Sequence, residues 1–319
     1  MTKCLICEKN KFVVLRRKLR FNIKRDVMKC VHCGFVFLRS QDKKGSYYQQ
    51  EYRKQYGPDL KKVAAAKTIS PRAIYNTYFP FQGEIVKKLK PILRTDFKVL
   101  DVGCSTGHFL SALEGKVKQR IGVELTEDAV KFIKSNLDFE VYSESIDNFN
   151  VPEGPFDLIT SLQVLEHVED PLAFLRGIAK NLKKGGYLYL ELPNIDDVLL
   201  SVFKVKGYED FYFREPHLSY FSKDTLRKLL RKAGFVGEIK TVQRYNVLNH
   251  LHWLQTNSPQ PNFATGNNIP SLLADKHSNP SNITNDFNKI IEKADREYKK
   301  IVEKYNLGES LCFLGKKSH

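Results

Sequence analysis

The sequence predicts an α/β fold, with a mostly parallel seven-stranded sheet flanked by helices and a small metal-binding unit ahead of it. Three observations carry this prediction. From residue 98 onward, short apolar runs alternate with amphipathic segments, and such alternation is typical of a parallel sheet with helical crossovers. The first run ends in a small-residue turn, Gly103-Cys-Ser-Thr-Gly107. Ahead of it, the chain begins with two Cys-x-x-Cys pairs.

The seven strands are expected at the apolar runs, five in the alternating region and two near the C-terminus: 98–102, 120–124, 139–142, 156–161, 187–192, 237–245 and 310–317. Three helices are expected between the first five strands: 107–114, 126–136 and 170–182. Asp170-Pro171 is a good start for the third helix, because proline suits the first turn. The basic residues and glycines of 183–186 are a good end for it.

We expect three regions along the chain. Residues 1–40 form a zinc-ribbon unit, 41–95 a helical linker or lid, and 96–319 the main domain with an insertion at about 246–306. The linker carries a group of tyrosines that either face the ligand or form a packing surface against the zinc unit: Tyr47, Tyr48, Tyr52 and Tyr56.

The charge of the chain is strongly positive and uneven. The net charge is +16, and residues 1–62 hold 17 Lys and Arg against 5 Asp and Glu, a local charge of +12. This excess fits a phosphorylated small-molecule partner or RNA, and it also fits a solvated lysine-rich surface. There is no run of 18 apolar residues and no secretory h-region, so we expect a cytoplasmic protein without a membrane span.

The N-terminal cysteines have the spacing of zinc knuckles. Cys4 and Cys7 form one pair and Cys30 and Cys33 the other, with 22 residues between the pairs. Each Cys-x-x-Cys turn directs two thiolates toward one point, and four such ligands make a closed tetrahedral zinc site. Because no coordination position stays open, the zinc is expected to be structural and not catalytic.

The turn 103–107 allows two interpretations. Its Gly-x-Ser-x-Gly pattern is that of the nucleophile elbow of serine hydrolases, but it follows the first evident strand and no oxyanion-hole segment is present. As a cofactor loop it requires an acidic residue about 20 positions later to hold ribose hydroxyls, and Glu124 stands there. Asp101 at the strand end would repel a pyrophosphate, whereas it suits a zwitterionic amino-acid ligand. The charge pattern therefore points away from a dinucleotide.

These residues, together with Phe156-Asp-Leu-Ile-Thr160 and Val164-Leu-Glu-His-Val168, resemble the motifs of class I S-adenosylmethionine-dependent methyltransferases, which have a Rossmann-like fold. The resemblance covers about residues 98–245. It implies that S-adenosylmethionine is the cofactor and that a set of loop and strand-end residues binds it: Asp101, Gly103, Cys104, Ser105, Gly107, Glu124, Leu125, Ser145, Ile146 and Gln163. In this set Glu124 would hold the ribose, Ser145 and Ile146 the adenine, and Gln163 would lie near the methyl group.

The cysteine pairs ahead of this core and His217-Leu-Ser-Tyr-Phe-Ser222 behind it are similar to bacterial methyltransferases of antibiotic-sugar and surface-polysaccharide pathways. The implied acceptor is a sugar linked to a nucleotide or lipid phosphate. Sugar C-methyltransferases have Tyr-x-Glu-His before this segment, whereas this chain has Phe213-Arg-Glu-Pro-His217. The changed spacing favours O-methylation over the alternative of sugar C-methylation.

Three residues are candidates for the catalytic group. His167 lies at the end of the fourth strand, and His217 with Glu215 lies on the loop after the fifth. Either imidazole could take the acceptor's proton, or each could only fix its loop. Two other functions stay open: an RNA methyltransferase that holds RNA with its basic zinc unit, and a protein that binds S-adenosylmethionine without transferring its methyl group. A homodimer is compatible with the sequence, which does not fix the oligomeric state.

Overall fold

The computed structural model describes residues 3–39, 70–261, 263–272 and 282–318. The four tyrosines of the predicted linker, and with them residues 41–69 of the predicted lid, lie outside these ranges.

The core of the protein is a seven-stranded sheet, and it confirms the predicted α/β fold class. In chain order its strands are β4 (Lys98–Val102), β5 (Gln119–Val123), β6 (Glu140–Tyr142), β7 (Phe156–Leu162), β8 (Leu182–Pro193), β10 (Phe235–Val242) and β11 (Ser310–Lys317). The spatial order is β10-β11-β8-β7-β4-β5-β6. The five strands from β4 to β8 pair in parallel, and β11 is antiparallel to both of its neighbours.

Strand β8 is longer than expected. The residues 183–186, interpreted above as a helix stop, already belong to β8, which begins at Leu182. The exposed Lys184 and Gly185, the latter with a φ of 76°, lie between buried Leu182 and Gly186. Basic and glycine residues therefore end the preceding helix without ending regular structure.

Eleven α-helices are found in the described residues. They are α1 (Pro71–Tyr78), α2 (Gln82–Leu89), α3 (His108–Ala112), α4 (Glu127–Asn136), α5 (Pro171–Asn181), α6 (Val198–Ser201), α7 (Lys206–Tyr212), α8 (Lys223–Lys232), α9 (Val247–Thr256), α10 (Phe263–Asn267) and α11 (Asn282–Lys304). Asp170 caps α5 by accepting hydrogen bonds from the backbone N–H groups of Leu172 and Ala173. Among the described residues, none of these helices combines the length and apolarity that a bilayer crossing requires.

A second, four-stranded antiparallel sheet joins the N-terminal residues to a later loop. Its strands are β1 (Phe12–Lys18), β2 (Lys24–Cys30), β3 (Val36–Leu38) and β9 (Ser219–Tyr220), in the order β1-β2-β3-β9. The ring of Phe35 lies 5.3 Å from that of Phe221, next to β9. The cysteine-bearing segment is thus built onto the loop that precedes α8.

The segment between β10 and β11, called the insertion below, contains α9, α10 and α11. Trp253 of α9 and Val302 of α11 are buried in one apolar cluster with Val198 and Leu199 of α6. The insertion therefore packs against the loop that follows β8 and closes one side of the crevice described next.

Candidate active site

A crevice of about 2280 Å³ opens at the carboxyl ends of the parallel strands. Its walls come from the loops after β4, β5, β6, β7 and β8, from α1 and α2, and from the insertion. In open α/β sheets this edge is where ligands bind.

The turn after β4 has the backbone shape of a cofactor loop. Gly103, Ser105 and Gly107 have φ values of 78°, 50° and 77°, a left-handed conformation that glycine adopts without a steric penalty. A Cβ at Gly103 would lie 2.4 Å from Cγ2 of Val164. The first glycine therefore allows the turn to pass directly over the loop after β7.

Glu124 ties this turn to the end of β5. Its Oε2 accepts a hydrogen bond from the backbone N–H of Ser105 at 2.8 Å, and its Oε1 accepts one from Thr126 at 2.7 Å. Glu124 also lines the crevice. These two hydrogen bonds fix the loop. Each oxygen of the carboxylate keeps a second lone pair, so Glu124 can still accept hydrogen bonds from the ribose hydroxyls that it is predicted to hold.

Asp101 lies at the bottom of the crevice and is 2% exposed. Its Oδ1 accepts a hydrogen bond from the hydroxyl of Thr160 at 2.6 Å. Burial, with a smaller contribution from the nearby charge of Glu124, raises the pKa of Asp101 to about 7, although the hydrogen bond from Thr160 opposes this shift. A cationic ligand group beside Asp101 would lower this pKa again, because an opposite charge favours the ionised form.

Most of the residues predicted for the cofactor line the crevice. They are Asp101, Gly103, Cys104, Ser105, Glu124, Leu125, Ser145, Ile146 and Gln163. Gly107 is not in this lining; it is the N-cap residue directly before α3, and a Cβ there would lie 2.6 Å from the ring of Phe139. Gln163 has a φ of 58° and donates its backbone N–H to the carbonyl oxygen of Glu191. Such strained positions occur disproportionately at functional sites.

The two candidate histidines lie side by side in the crevice wall. Their rings meet edge to face with centroids 4.8 Å apart. Nδ1 of His167 lies 2.9 Å from the carbonyl oxygen of Pro216, so Nδ1 carries the hydrogen and Nε2 the lone pair. Nε of Arg214 donates to Nε2 of His217 at 3.0 Å, so the hydrogen of the neutral His217 ring is on Nδ1.

Burial keeps both imidazoles neutral. It lowers the pKa of His167 to about 4, with a further contribution from the charge of Arg214. Burial lowers the pKa of His217 in the same direction, again helped by Arg214. Glu215, the third candidate, is 9% exposed and does not belong to the crevice lining.

Glu166 is a feature of the site that the sequence reasoning missed. It is 2% exposed, and neither carboxyl oxygen has a hydrogen-bond partner among the described residues. Burial raises its pKa to about 8, and the charge of Arg214 opposes this shift. The only signal in the sequence is that Glu166 directly precedes His167. Its proximity to His217 depends on the fold and has no local sequence pattern.

Other wall residues were also missed because they come from distant segments. Arg20, from the N-terminal unit, lies over the ring of Phe211 at 4.0 Å and lines the crevice. Arg244, at the end of β10, forms ion pairs with Glu191 and Glu309. No local pattern in the sequence marks these positions, since each depends on which strands become neighbours.

The four N-terminal cysteines converge on one point. The Sγ atoms of Cys4 and Cys33 are 3.5 Å apart and those of Cys7 and Cys30 are 3.6 Å apart. All four lie within 4.8 Å of one another. Tetrahedral zinc with Zn–S bonds of about 2.3 Å places sulfur atoms about 3.8 Å apart, so the donor set and its dimensions fit a closed zinc site.

Known proteins with similar sequences share this site-bearing region. A ubiquinone biosynthesis O-methyltransferase of Thiobacillus denitrificans is 29% identical over 172 residues, which cover 50% of this chain and 74% of the relative. A probable S-adenosylmethionine-dependent methyltransferase of Mycobacterium tuberculosis is 28% identical over 180 residues, covering 56% of this chain and 63% of the relative. The match to the second relative is thus below two thirds of its length.

Solved structures show the same fold. A SAM-dependent methyltransferase from Archaeoglobus fulgidus superposes with a TM-score of 0.50 at 18% identity, over 75% of this chain and 94% of the other. A chain from the complex between the Haloferax volcanii Trm112 methyltransferase activator and a methyltransferase gives a TM-score of 0.51 at 15% identity, over 84% and 97%. The family model described as a methyltransferase domain matches residues 73–238, which is half of the chain. With this match and the cofactor-loop geometry, the chain belongs to the methyltransferase domain family of S-adenosylmethionine-dependent enzymes with the class I fold.

Proposed function

We propose that this protein transfers a methyl group from S-adenosylmethionine to a hydroxyl oxygen of a small organic acceptor. The observation that carries this proposal is the neutral imidazole of His167 in the crevice wall, with its lone pair on Nε2. A hydroxyl must lose its proton when its oxygen is methylated, and a neutral imidazole at this position is suited to take it.

The cofactor would be held by the loops after β4, β5 and β6. Asp101 would face its ammonium group, Glu124 its ribose hydroxyls, and Ser145 with Ile146 its adenine. The buried Asp101, whose pKa is raised to about 7 by burial, fits a cationic partner. When bound, the cofactor supplies an activated methyl group on a sulfonium.

The chain's own part in the reaction is to position the acceptor and accept a proton. As the oxygen–methyl bond forms and the sulfur–methyl bond breaks, the bonding electron pair returns to sulfur. The hydroxyl proton passes to Nε2 of His167, while the hydrogen bond from Nδ1 to the carbonyl oxygen of Pro216 holds the ring in place. His217 is a poorer base, because Arg214 already donates to its Nε2.

Two classes of acceptor are supported. Relatives named as ubiquinone biosynthesis O-methyltransferases favour a phenolic hydroxyl, and rings in the crevice wall, Tyr208, Phe211 and Trp253, offer faces for such an acceptor. A sugar attached to a nucleotide or lipid phosphate is the second candidate. The positively charged Arg20 and Arg214 in the crevice wall favour it, because guanidinium groups bind phosphate well.

We also propose that one structural zinc ion is bound by Cys4, Cys7, Cys30 and Cys33. The convergence of the four Sγ atoms supports this. The zinc site would stabilise the small four-stranded sheet. Strand β3 begins shortly after the second cysteine pair, and β9 pairs with β3, so β9 depends on this support.

Transfer of labelled methyl groups from S-adenosylmethionine tests the proposed reaction. The panel contains catechols, phenols, nucleotide-linked hexoses and transfer RNA, and products are located by mass spectrometry. We expect a methyl ether product, and a His167→Asn variant should be slower by about 100-fold or more. His252→Asn, at a histidine outside the crevice lining, is the matched control.

Methylation of RNA with no small-molecule product would contradict the proposal in favour of the RNA alternative. Equal rates for His167→Asn and the wild type would contradict the role given to His167. Saturating cofactor binding without transfer to any member of the panel would favour a protein that only binds S-adenosylmethionine.

A further inference from the structure

Glu166, His167 and His217 form a buried group in the crevice wall that the proposed reaction uses only in part. One ligand atom of each residue lies within 4.8 Å of one atom of both others. Nε2 of His167 is 3.7 Å from Oε1 of Glu166. Among the described residues, both carboxyl oxygens of Glu166 and Nδ1 of His217 are buried without a hydrogen-bond partner.

Unpartnered buried polar atoms are costly, each by about 1–3 kcal/mol. Three of them at one place, in residues that line a ligand crevice, therefore indicate groups that a ligand satisfies. The identity of that ligand follows from which atoms carry hydrogens. Glu166 offers a carbonyl oxygen that accepts even while the carboxyl group keeps its proton, and His167 offers a lone pair at Nε2 because its Nδ1 donates to Pro216.

His217 differs from the other two because of Arg214. The guanidinium donates to Nε2 of His217, which leaves the hydrogen on Nδ1 and makes this buried atom a donor. A metal ion needs a lone pair from every ligand and would meet a hydrogen at His217. The positive charge of Arg214 beside the group also opposes a cation.

A hydroxyl group matches this arrangement, because it donates one hydrogen bond and accepts others. We propose that Glu166 and His217 together bind a second hydroxyl of the acceptor, adjacent to the one that is methylated. This hydroxyl donates to a carboxyl oxygen of Glu166 and accepts from Nδ1–H of His217. The methylated hydroxyl lies at Nε2 of His167, and the short separation of His167 from Glu166 requires the two hydroxyls to be neighbours on the acceptor.

The acceptor class is therefore a vicinal diol, such as a catechol or a sugar with two adjacent free hydroxyls. This inference rests on the proposed O-methylation for the role of His167. The contacts of Glu166 and His217 are a separate claim, since they concern binding and can be measured without turnover.

Calorimetric titration of the full-length protein, saturated with S-adenosylhomocysteine, tests the claim. The probes are 3,4-dihydroxybenzoate against 3-hydroxybenzoate and 4-hydroxybenzoate, and UDP-glucose against its 3-deoxy analogue, whose hexose keeps no pair of adjacent hydroxyls. We expect one of the two diols to bind about 10- to 100-fold more tightly than the matching compounds that lack the adjacent pair. In Glu166→Gln this preference should shrink by about tenfold or more, while S-adenosylhomocysteine binding stays unchanged.

Glu166→Gln preserves size and shape, and its thermal unfolding serves to check folding. Glu114→Gln, at an exposed glutamate away from the crevice, should keep the full preference. If neither diol is preferred, or if Glu166→Gln weakens diols and the compounds that lack the adjacent pair equally, the inference is wrong. If Mg²⁺ or Zn²⁺ added to chelator-treated protein binds and Glu166→Gln abolishes that binding, the group is a metal site and the inference is also wrong.

A different result would show that the proposed reaction is wrong while the binding inference is right. A diol preference that depends on Glu166, combined with no methyl transfer to that diol, would contradict the proposed O-methylation and leave the binding claim standing.

Discussion

Gly122 in β5 offers a sharp test of how the cofactor loop is supported. A Cβ at this position would lie 2.6 Å from Sγ of Cys104 and 3.4 Å from Cγ2 of Val141. Unstrained heavy-atom contacts are about 3.5–4.0 Å, so Gly122→Ala must displace Cys104 by about 1 Å. Cys104 is 2% exposed and lies in the turn between Gly103 and Ser105, so a shift of its side chain presses on closely packed neighbours and on the turn itself.

Overpacking of this kind costs about 1–3 kcal/mol. If the loop absorbs all of it in the cofactor-free protein and must return to its original position on binding, affinity for S-adenosylmethionine falls by about 5- to 150-fold. If the strain instead spreads through the sheet, it appears as a lower free energy of unfolding. Calorimetric binding of the variant measures the part of the strain that lowers cofactor affinity, and urea unfolding measures the part that lowers the free energy of unfolding.

A second substitution identifies the atom responsible. Cys104→Ala removes the Sγ that the new methyl group meets, so the Gly122→Ala/Cys104→Ala double variant should recover most of the lost affinity or stability. Neighbouring residues that share a steric contact show such coupling in double-mutant cycles. Gly83→Ala, where a Cβ meets no atom within 4 Å and the residue is in helix α2, should be stabilising by about 0.5–1 kcal/mol. Normal affinity and stability of Gly122→Ala, or no recovery in the double variant, would refute this account of the loop.

Three further predictions concern other parts of the site. Cys30→Ser should lower bound zinc from about one ion per chain to near zero in elemental analysis; retention of zinc would contradict the four-cysteine site. Gly177→Ala would place a Cβ 2.2 Å from the carbonyl oxygen of Ile146 and should weaken S-adenosylhomocysteine binding in calorimetry, whereas an unchanged dissociation constant would separate Ile146 from the adenine. Burial raises the pKa of Glu166 from 4.5 to about 8, so between these pH values the folded protein keeps a proton that the unfolded chain loses. The free energy of unfolding of the wild type, relative to that of Glu166→Gln, should therefore fall as pH rises from about 4.5 to 8. A difference in urea unfolding that does not change with pH would contradict this.

The sequence predicted the fold well where local pattern determines structure. The strand β4, with its buried residues from Val99 to Val102, starts and ends where the apolar run does. The following helix ends at Ala112 and β10 ends at Val242, two and three residues before the predicted ends at 114 and 245. Strand β9 was not predicted, because two residues carry no periodicity and their pairing with β3 is set by tertiary structure.

The candidate site likewise contains residues that local sequence spacing predicts and residues that only tertiary contacts bring together. Residues that belong to one strand–helix–strand unit, such as Asp101, Ser105 and Glu124, follow from spacing because consecutive parallel strands place their carboxyl ends side by side. The pairing of His167 with His217 does not, since 50 positions separate them and their contact depends on the loop around Pro216. The direction of each hydrogen bond, which distinguishes base from donor, requires the positions of Arg214 and Pro216 as well.

The role inferred for the N-terminal segment differs most between the sequence and the structure. Its basic charge fits a phosphorylated partner, RNA or a solvated surface, and its cysteine spacing predicts a structural zinc unit. In the structure β3 pairs with β9, Arg20 donates its backbone N–H to the carbonyl oxygen of Phe213, and its guanidinium lies over Phe211. These contacts lie on the segment that carries Arg214 and His217, on the side of the crevice that we propose for the acceptor. The cofactor loop lies on the main sheet, away from this pairing, so a change in the N-terminal segment should act on acceptor binding before it acts on cofactor binding.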